Sequence, residues 1–223
     1  MVLKAEAITR QYFRKSRDSN VFLALRPCSL TLEGGTLTAV TGRSGSGKTT
    51  LLHVLAGLLA PTAGKVFWDG VDVYSLEDRA RSRLRNERLG VIPQGQTGLH
   101  ALTVLENVKL PCLMYGAEIS DEAALALLEQ VGIASLQKEY PGALSGGELR
   151  RLAIARALIR SPGIILADEP TGDLDDENTA LVLGILREVA AGDVAVLLVT
   201  HENEAIQYGD RFWKMDAGRL WEK

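Results

Sequence analysis

Cysteine is scarce in this 223-residue chain: Cys28 and Cys112 stand far apart, with no C-x-x-C spacing. That excludes a disulfide framework and fits a reduced cytosolic setting. Long apolar runs are missing as well. The buried-looking stretch at 194–200 is far shorter than the ~20 residues of a membrane-spanning helix. Work at a membrane would therefore need another chain to cross it. The opening MVLKAEAITR lacks the apolar core of a signal peptide. Charge of one sign is also lacking. A net charge of −3 implies no basic face, so no nucleic-acid partner is expected. No internal repeat, low-complexity tract or long linker interrupts the chain. Its composition, 46% hydrophobic and 24% charged, is that of a globular protein able to bury one sizeable core.

Hydrophobic periodicity supplies the elements. Short β-like runs at 3–9, 21–32 and 36–41 open the chain, with a polar hairpin loop expected at 14–20. The apolar strand Thr38-Ala-Val-Thr41 leads into a glycine-rich loop and a helix at 48–59. Residues 66–68 return to β structure, 75–88 read as a charged helix and 89–93 as a short strand. Helical periodicity fills 103–139, clearest over 123–131, where Ser120 is the expected N-cap. A further helix at 148–160 turns Leu149, Leu152 and Ile159 inward and leaves Arg150, Arg151, Arg156 and Arg160 to solvent. From 164 onward strand and helix alternate: 164–167, 175–191, 194–200 and 202–208. A closing hairpin at 211–216 and 219–221 follows. This order predicts an α/β fold with a mainly parallel sheet covered on both faces. A run of helices at about 95–160 is inserted into an α/β core with a β subdomain, formed by 1–94 and 161–223.

The loop after the Thr38–Thr41 strand reads Gly42-Arg43-Ser44-Gly45-Ser46-Gly47-Lys48-Thr49, with Thr50 next, and matches G-x-x-x-x-G-K-[ST]. Its glycines let backbone N–H groups wrap a phosphate chain. Lys48 reaches the β/γ-phosphates, and the Thr49 hydroxyl suits Mg²⁺. A second apolar strand ends in Asp168-Glu169. At the carboxyl end of a parallel strand, Asp168 is placed for Mg²⁺ and Glu169 for activating a water. The bland alternative is a pair of solvated acids before the Pro170–Gly172 turn. His201 ends the next strand, where it could bond a γ-phosphate oxygen or simply face solvent. Gln94 ends the 91–93 strand, where its amide could meet Mg²⁺ and water or belong to a polar loop. His53 and His100 lack partners at ligand spacing, and packing or solvent roles are expected for them.

Leu144-Ser145-Gly146-Gly147-Glu148 is a second phosphate-gripping pattern, with a serine hydroxyl and open glycine amides at a helix start. A glycine-rich N-cap would look the same. A chain with one phosphate loop has no evident need of another grip so far away in sequence.

With these elements in this order, the chain resembles an ATP-binding cassette (ABC) ATPase subunit over its whole length. Residues 42–49 resemble that family's Walker A, Ile164–Asp168 its Walker B, and 144–148 its signature motif. Gln94 resembles the Q-loop glutamine, 172–175 the D-loop and His201 the switch histidine. Tyr12 resembles the aromatic that stacks on adenine, with Phe13 the fallback. The resemblance implies a single P-loop NTPase domain with an N-terminal antiparallel β subdomain and a helical subdomain. It implies ATP and Mg²⁺ as ligands, with Thr49, Gln94 and Asp168 at the metal and Glu169, His201 and Gln94 in catalysis. It also implies a head-to-tail homodimer. There Ser145, Gly146, Gly147 and Glu148 serve the partner's ATP in trans, and Asp175 couples the two sites. A separate integral membrane permease would be driven by this dimer, which would sit on the cytoplasmic face of the membrane.

Two departures stand out. The signature ends in Glu148 where glutamine is commoner, and Pro93 precedes Gln94 where an aromatic is usual. Activity is expected to survive the first; the second puts Q-loop movement in doubt. Residues 85–94, 102–108 and Leu110-Pro111 look like the lipoprotein-release, macrolide-export and cell-division group, which points to export or mechanotransmission. Methionine-type importers share the Glu106-Asn-Val-x-Leu-Pro111 pattern and remain an alternative. A soluble ABC protein acting on DNA or ribosomes would carry coiled-coil or zinc insertions, and none is seen. A P-loop GTPase would need N-K-x-D, which does not occur.

Overall fold

A computed structural model of the chain describes residues 1–13, 21–95, 98–202 and 204–223, the side chains of 204 and 205 excepted. The polar loop expected at 14–20 lies outside the described residues, as do 96 and 97 of the polar stretch after Gln94. In chain order the elements begin with strands β1 (Val2–Phe13), β2 (Val21–Glu33) and β3 (Leu37–Thr41), then helix α1 (Lys48–Leu55). Strands β4 (Ala63–Trp68) and β5 (Val71–Asp72), helix α2 (Asp78–Arg88) and strand β6 (Leu89–Ile92) follow. Three helices come next, α3 (Val104–Leu113), α4 (Asp121–Gln130) and α5 (Gly146–Leu158). Strand β7 (Ile164–Asp168), helix α6 (Asp176–Ala191) and strands β8 (Ala195–Thr200), β9 (Arg211–Asp216) and β10 (Arg219–Glu222) close the chain.

Two sheets result. The first is antiparallel, in the order β2-β1-β4-β5. The second has the order β10-β9-β3-β8-β7-β6 and is parallel except for the β9–β10 hairpin. Side chains of a strand alternate between faces, and here both faces are buried. Ile164 and Leu166 of β7 join the core formed with α1 and the antiparallel sheet, whereas Ile165 and Ala167 join the core formed with α3–α6. In β8, Ala195, Leu197 and Val199 face the first core, and Val196 and Leu198 the second. That explains the unbroken apolar runs of these strands.

Several element ends differ from the periodicity. The helix expected at 48–59 stops at Leu55, because Gly57 takes φ +68 and the amides of Leu58 and Leu59 both turn back to the His53 carbonyl. The 103–139 stretch breaks into α3, α4 and a 3-10 turn, with left-handed glycines at Gly116 and Gly132 between them. Ser120 caps α4 by accepting from the Ala123 amide at 3.2 Å. The fifth helix starts at Gly146 instead of 148, and the helix expected at 202–208 is one 3-10 turn, Glu204–Tyr208. No helix among the described residues is long and apolar enough to cross a membrane.

Candidate functional site

Adjacent parallel strands β3, β7 and β8 end side by side, so the chain segments that leave them converge. The Gly42 amide donates to the Thr200 carbonyl at 3.2 Å, and the Glu169 amide to the Val199 carbonyl at 2.8 Å. The loop from Gly42 to Gly47 then folds over the start of α1. Gly47 has φ +111, and a Cβ there would lie 2.4 Å from the Ala24 carbonyl oxygen. Only glycine fits that combination of left-handed backbone and close approach.

Lys48 is the charged centre of this loop. Its side chain is 4% exposed. The ammonium donates to the Gly42 carbonyl at 2.7 Å and the Arg43 carbonyl at 3.2 Å, and lies 3.4 Å from Glu169 Oε1. The other oxygen of Glu169 meets His201 Nδ1 at 2.5 Å. Glu169 has φ +47, a left-handed conformation for a long side chain. Such strain persists only where surrounding structure fixes it.

Asp168 is 2% exposed, and its Oδ1 has no hydrogen-bond partner. Burial pushes its pKa up, and the negative Glu169 adds to this. A hydrogen bond from Thr49 and the positive charges of His53 and Lys48 oppose the shift. His53, for which packing or solvent was expected, thus belongs to the electrostatics of the site. Ser46 Oγ is a second buried, unpaired oxygen.

A cavity of about 590 Å³ runs from this cluster toward the antiparallel sheet, lined by Ser44, Gly45, Gly47, Lys48, Thr49, Thr50, Gln94 and Glu169. At its far end stand Tyr12, Phe13 and Phe22. Tyr12 faces Phe22 across the β1–β2 pair, and the Arg10 guanidinium lies 4.8 Å from the centre of its ring. Phe13 is 85% exposed. A neighbouring cavity is lined by Gly42, Arg43, Ser44, Gln94, Glu169 and His201, among others. The structure therefore gathers Tyr12, residues 42–50, Gln94, Asp168, Glu169 and His201 into one region.

The residues 145–148 line neither cavity. They open α5 as a capping box: Glu148 Oε2 accepts from the Ser145 amide at 2.7 Å and its hydroxyl at 2.8 Å. Ser145 Oγ accepts from the Glu148 amide at 3.3 Å. These bonds hold the Glu148 carboxyl below the usual range. A Cβ on Gly147 would meet Asn178 Oδ1 at 2.4 Å. Asn178 in turn accepts from Arg151 at 2.8 Å and donates its amide N–H to Asp175 at 2.8 Å. Asp175 is the N-cap of α6, and its carboxyl is held low by those bonds from Asn178. The start of α5 and the start of α6 are thus joined through Asn178, a residue with no signature in the sequence.

A model of the family described as "ABC transporter" matches residues 25–172. The chain belongs to the ABC transporter family. Among ABC relatives, the lipoprotein-releasing system ATP-binding protein LolD of Xanthomonas euvesicatoria pv. vesicatoria is 39% identical over 224 residues, spanning 99% of this chain and 91% of that protein. LolD of Psychrobacter arcticus is 40% identical over 225 residues, spanning 99% and 98%. The dimeric structure of MJ0796, a bacterial ABC transporter cassette, superposes with a TM-score of 0.89 at 31% identity, spanning 99% of this chain and 98% of that one. A dimeric post-hydrolysis state of MJ0796 bound to ADP and Pi matches equally well, with a TM-score of 0.89.

The same geometry corrects one expectation about an ABC element. Of the arginines expected in solvent, Arg150 is 7% exposed and donates from Nη1 to the Pro93 carbonyl at 3.0 Å, and Arg151, Arg156 and Arg160 are half-buried. The α5 helix is covered on more sides than its apolar stripe suggested, and a long guanidinium can satisfy itself inside. Asn107 is a comparable surprise. It is wholly buried, with its amide nitrogen donating to the carbonyls of Leu99, Leu102 and Thr103 and its oxygen accepting from the Leu99 amide.

Proposed function

We propose that this protein is the ATP-binding and hydrolysing subunit of an ABC system of the lipoprotein-release type, working as a homodimer on a separate membrane permease. The observation that carries the reading is Glu169, suspended between Lys48 and His201 at the mouth of the Gly42–Gly47 loop. The relatives' lipoprotein-releasing role supports an export-type assignment. In this reading Tyr12 stacks on the adenine, the amides of 42–50 wrap the phosphates, and Lys48 turns from Glu169 toward the β/γ-phosphates. The departing ammonium frees Glu169 to orient and deprotonate the attacking water. His201 keeps the carboxylate in place and bonds a γ-phosphate oxygen. Ser145 and Gly147 of the other copy donate to the same γ-phosphate, the electrostatic part that an arginine finger plays elsewhere. Asp175 then links one site to the other.

Mg²⁺ fits the residues present. The unpaired Asp168 Oδ1 and the neighbouring Thr49 hydroxyl are hard oxygen donors, and Gln94 adds an amide oxygen. Among the described residues no larger group of acidic, cysteine or histidine side chains competes for a metal. Mg²⁺ itself keeps few protein ligands and takes the rest from phosphate and water. Bound there, it would neutralise charge on the β- and γ-oxygens.

A groove of about 430 Å³ between α2, β6 and α3 supports a docked permease segment. Its floor includes Leu58, Leu99, Pro111 and Met114, and Arg85 and Arg160 line it too. The protein then sits peripherally on the cytoplasmic face. Gel filtration of Glu169→Gln tests the reading. With saturating ATP and Mg²⁺ the variant elutes as a dimer and hydrolyses very slowly. A strictly monomeric variant would refute the composite site.

A further inference from the structure

We propose that Arg150 is a positioning residue for Gln94: its guanidinium, anchored in α5, grips the Pro93 carbonyl and so fixes where Gln94 enters the catalytic cavity. The inference rests on the ATPase reading above. A buried guanidinium is costly unless hydrogen-bonded, and the 3.0 Å bond to Pro93 offsets part of that cost for Arg150. Proline has no N–H, so its carbonyl is the one backbone group through which Pro93 can be held.

The Pro93 carbonyl and the Gln94 nitrogen belong to the same planar peptide unit. Orienting that carbonyl therefore orients the Gln94 N–Cα bond. Downstream, Gly95 at φ +83 has open space where a Cβ would be and no side chain with which to direct the turn. The bond to Arg150 holds the upstream side. The same guanidinium lines a cavity of about 230 Å³ together with Gln94, Glu169, Asp173 and His201. Burial lowers the Arg150 pKa, opposed by the charges of Asp173 and Asp168, so it looks toward the acidic side of the site. A single side chain thus ties the helix capped by Ser145 to the segment carrying the glutamine that shares a cavity with Glu169.

The test is a double-mutant cycle between Arg150→Met and Gln94→Ala, read by steady-state ATPase activity and by binding of a fluorescent ATP analogue. Arg150→Met is expected to lower kcat about tenfold or more, with nucleotide affinity within about twofold of the parent. In the Gln94→Ala background it should change kcat by less than about twofold, since residues acting through one group are not additive. Arg150→Lys keeps a charged donor and should recover part of the lost rate. Should the methionine variant fail to fold, the lysine variant replaces it in the cycle, with the same collapse expected. Full additivity in either cycle, or loss of nucleotide binding with kcat unchanged, overturns the Arg150 assignment. If the parent itself neither binds nor hydrolyses ATP, the ATPase reading fails instead.

Discussion

Two capping boxes in this chain share one hydrogen-bond pattern, and in the proposed dimer only that at α5 meets the partner's phosphate. At α5, Ser145 and Glu148 bond at 2.7, 2.8 and 3.3 Å. At α3, Thr103 and Glu106 bond at 2.7, 2.9 and 3.3 Å in the same pattern. Truncating a Ser or Thr N-cap to alanine costs about 1 kcal/mol. In a chain of this length that lowers Tm by about 2–4 °C. Ser145→Ala and Thr103→Ala should therefore lose similar stability in the nucleotide-free protein. Their ATPase activities should diverge. Loss of a preorganised donor to a developing charge typically costs about 10²–10³ in kcat, and Ser145→Ala should lie in that range. Thr103→Ala should stay near the parent at temperatures well below Tm. Differential scanning fluorimetry and a coupled ATPase assay on the two variants give the comparison. Equal Tm losses with equal, near-parental rates would show that Ser145 is a cap and nothing more, and the trans-acting reading would be withdrawn.

Lys48→Ala should weaken ATP binding severalfold or more by equilibrium fluorescence, while leaving the fold intact because the Gly42–Gly47 loop keeps its own backbone bonds. Asp168 has its pKa raised by burial, so folding takes up a proton there. Its effect on stability is neutral at low pH and turns unfavourable as pH rises from the ordinary 3.8 through the raised folded value, persisting at pH 7. Asp168→Asn should then raise the Tm of the nucleotide-free protein by a few degrees and abolish Mg²⁺-dependent hydrolysis; an unchanged or lower Tm would count against a cost of burying this carboxylate. Gly147→Ala must displace Asn178, so it should cost about 1–3 kcal/mol in overpacking and depress ATPase activity more than its Tm loss explains.

The Lys48 loop was legible because its chemistry is local: glycines, a lysine and a threonine at fixed offsets between an apolar strand and a helix. The strands were legible because β7 and β8 are buried on both faces and carry no polar interruption until Asp168 and Thr200. What the residue order could not reveal was contact across elements. Arg150 follows helical spacing that points equally well to solvent, and only packing of α5 against the Pro93 segment turns it inward. Asn178 joins Gly147, Arg151 and Asp175 across thirty residues of chain, with nothing in its own neighbourhood to mark it. The start of α5 was misplaced by two residues because glycines rank low as helix formers, and the cap that overrides this is a three-dimensional bond. His53 is half-buried in its own helix and enters the electrostatics of the site only through Asp168 on the strand that lies alongside.

The left-handed backbone at Glu169 has a consequence for how this site was assembled. A non-glycine residue at φ +47 is held against its own preference, while its carboxylate is held between Lys48 and His201. The same position would be more comfortable as glycine. Glycine there would leave a carboxylate-sized space between Lys48 and His201, in a chain freed of its strain. Formate or acetate from solution could then enter that space and stand in for the missing side chain. The strained residue thereby marks a socket, one that could be emptied and refilled chemically.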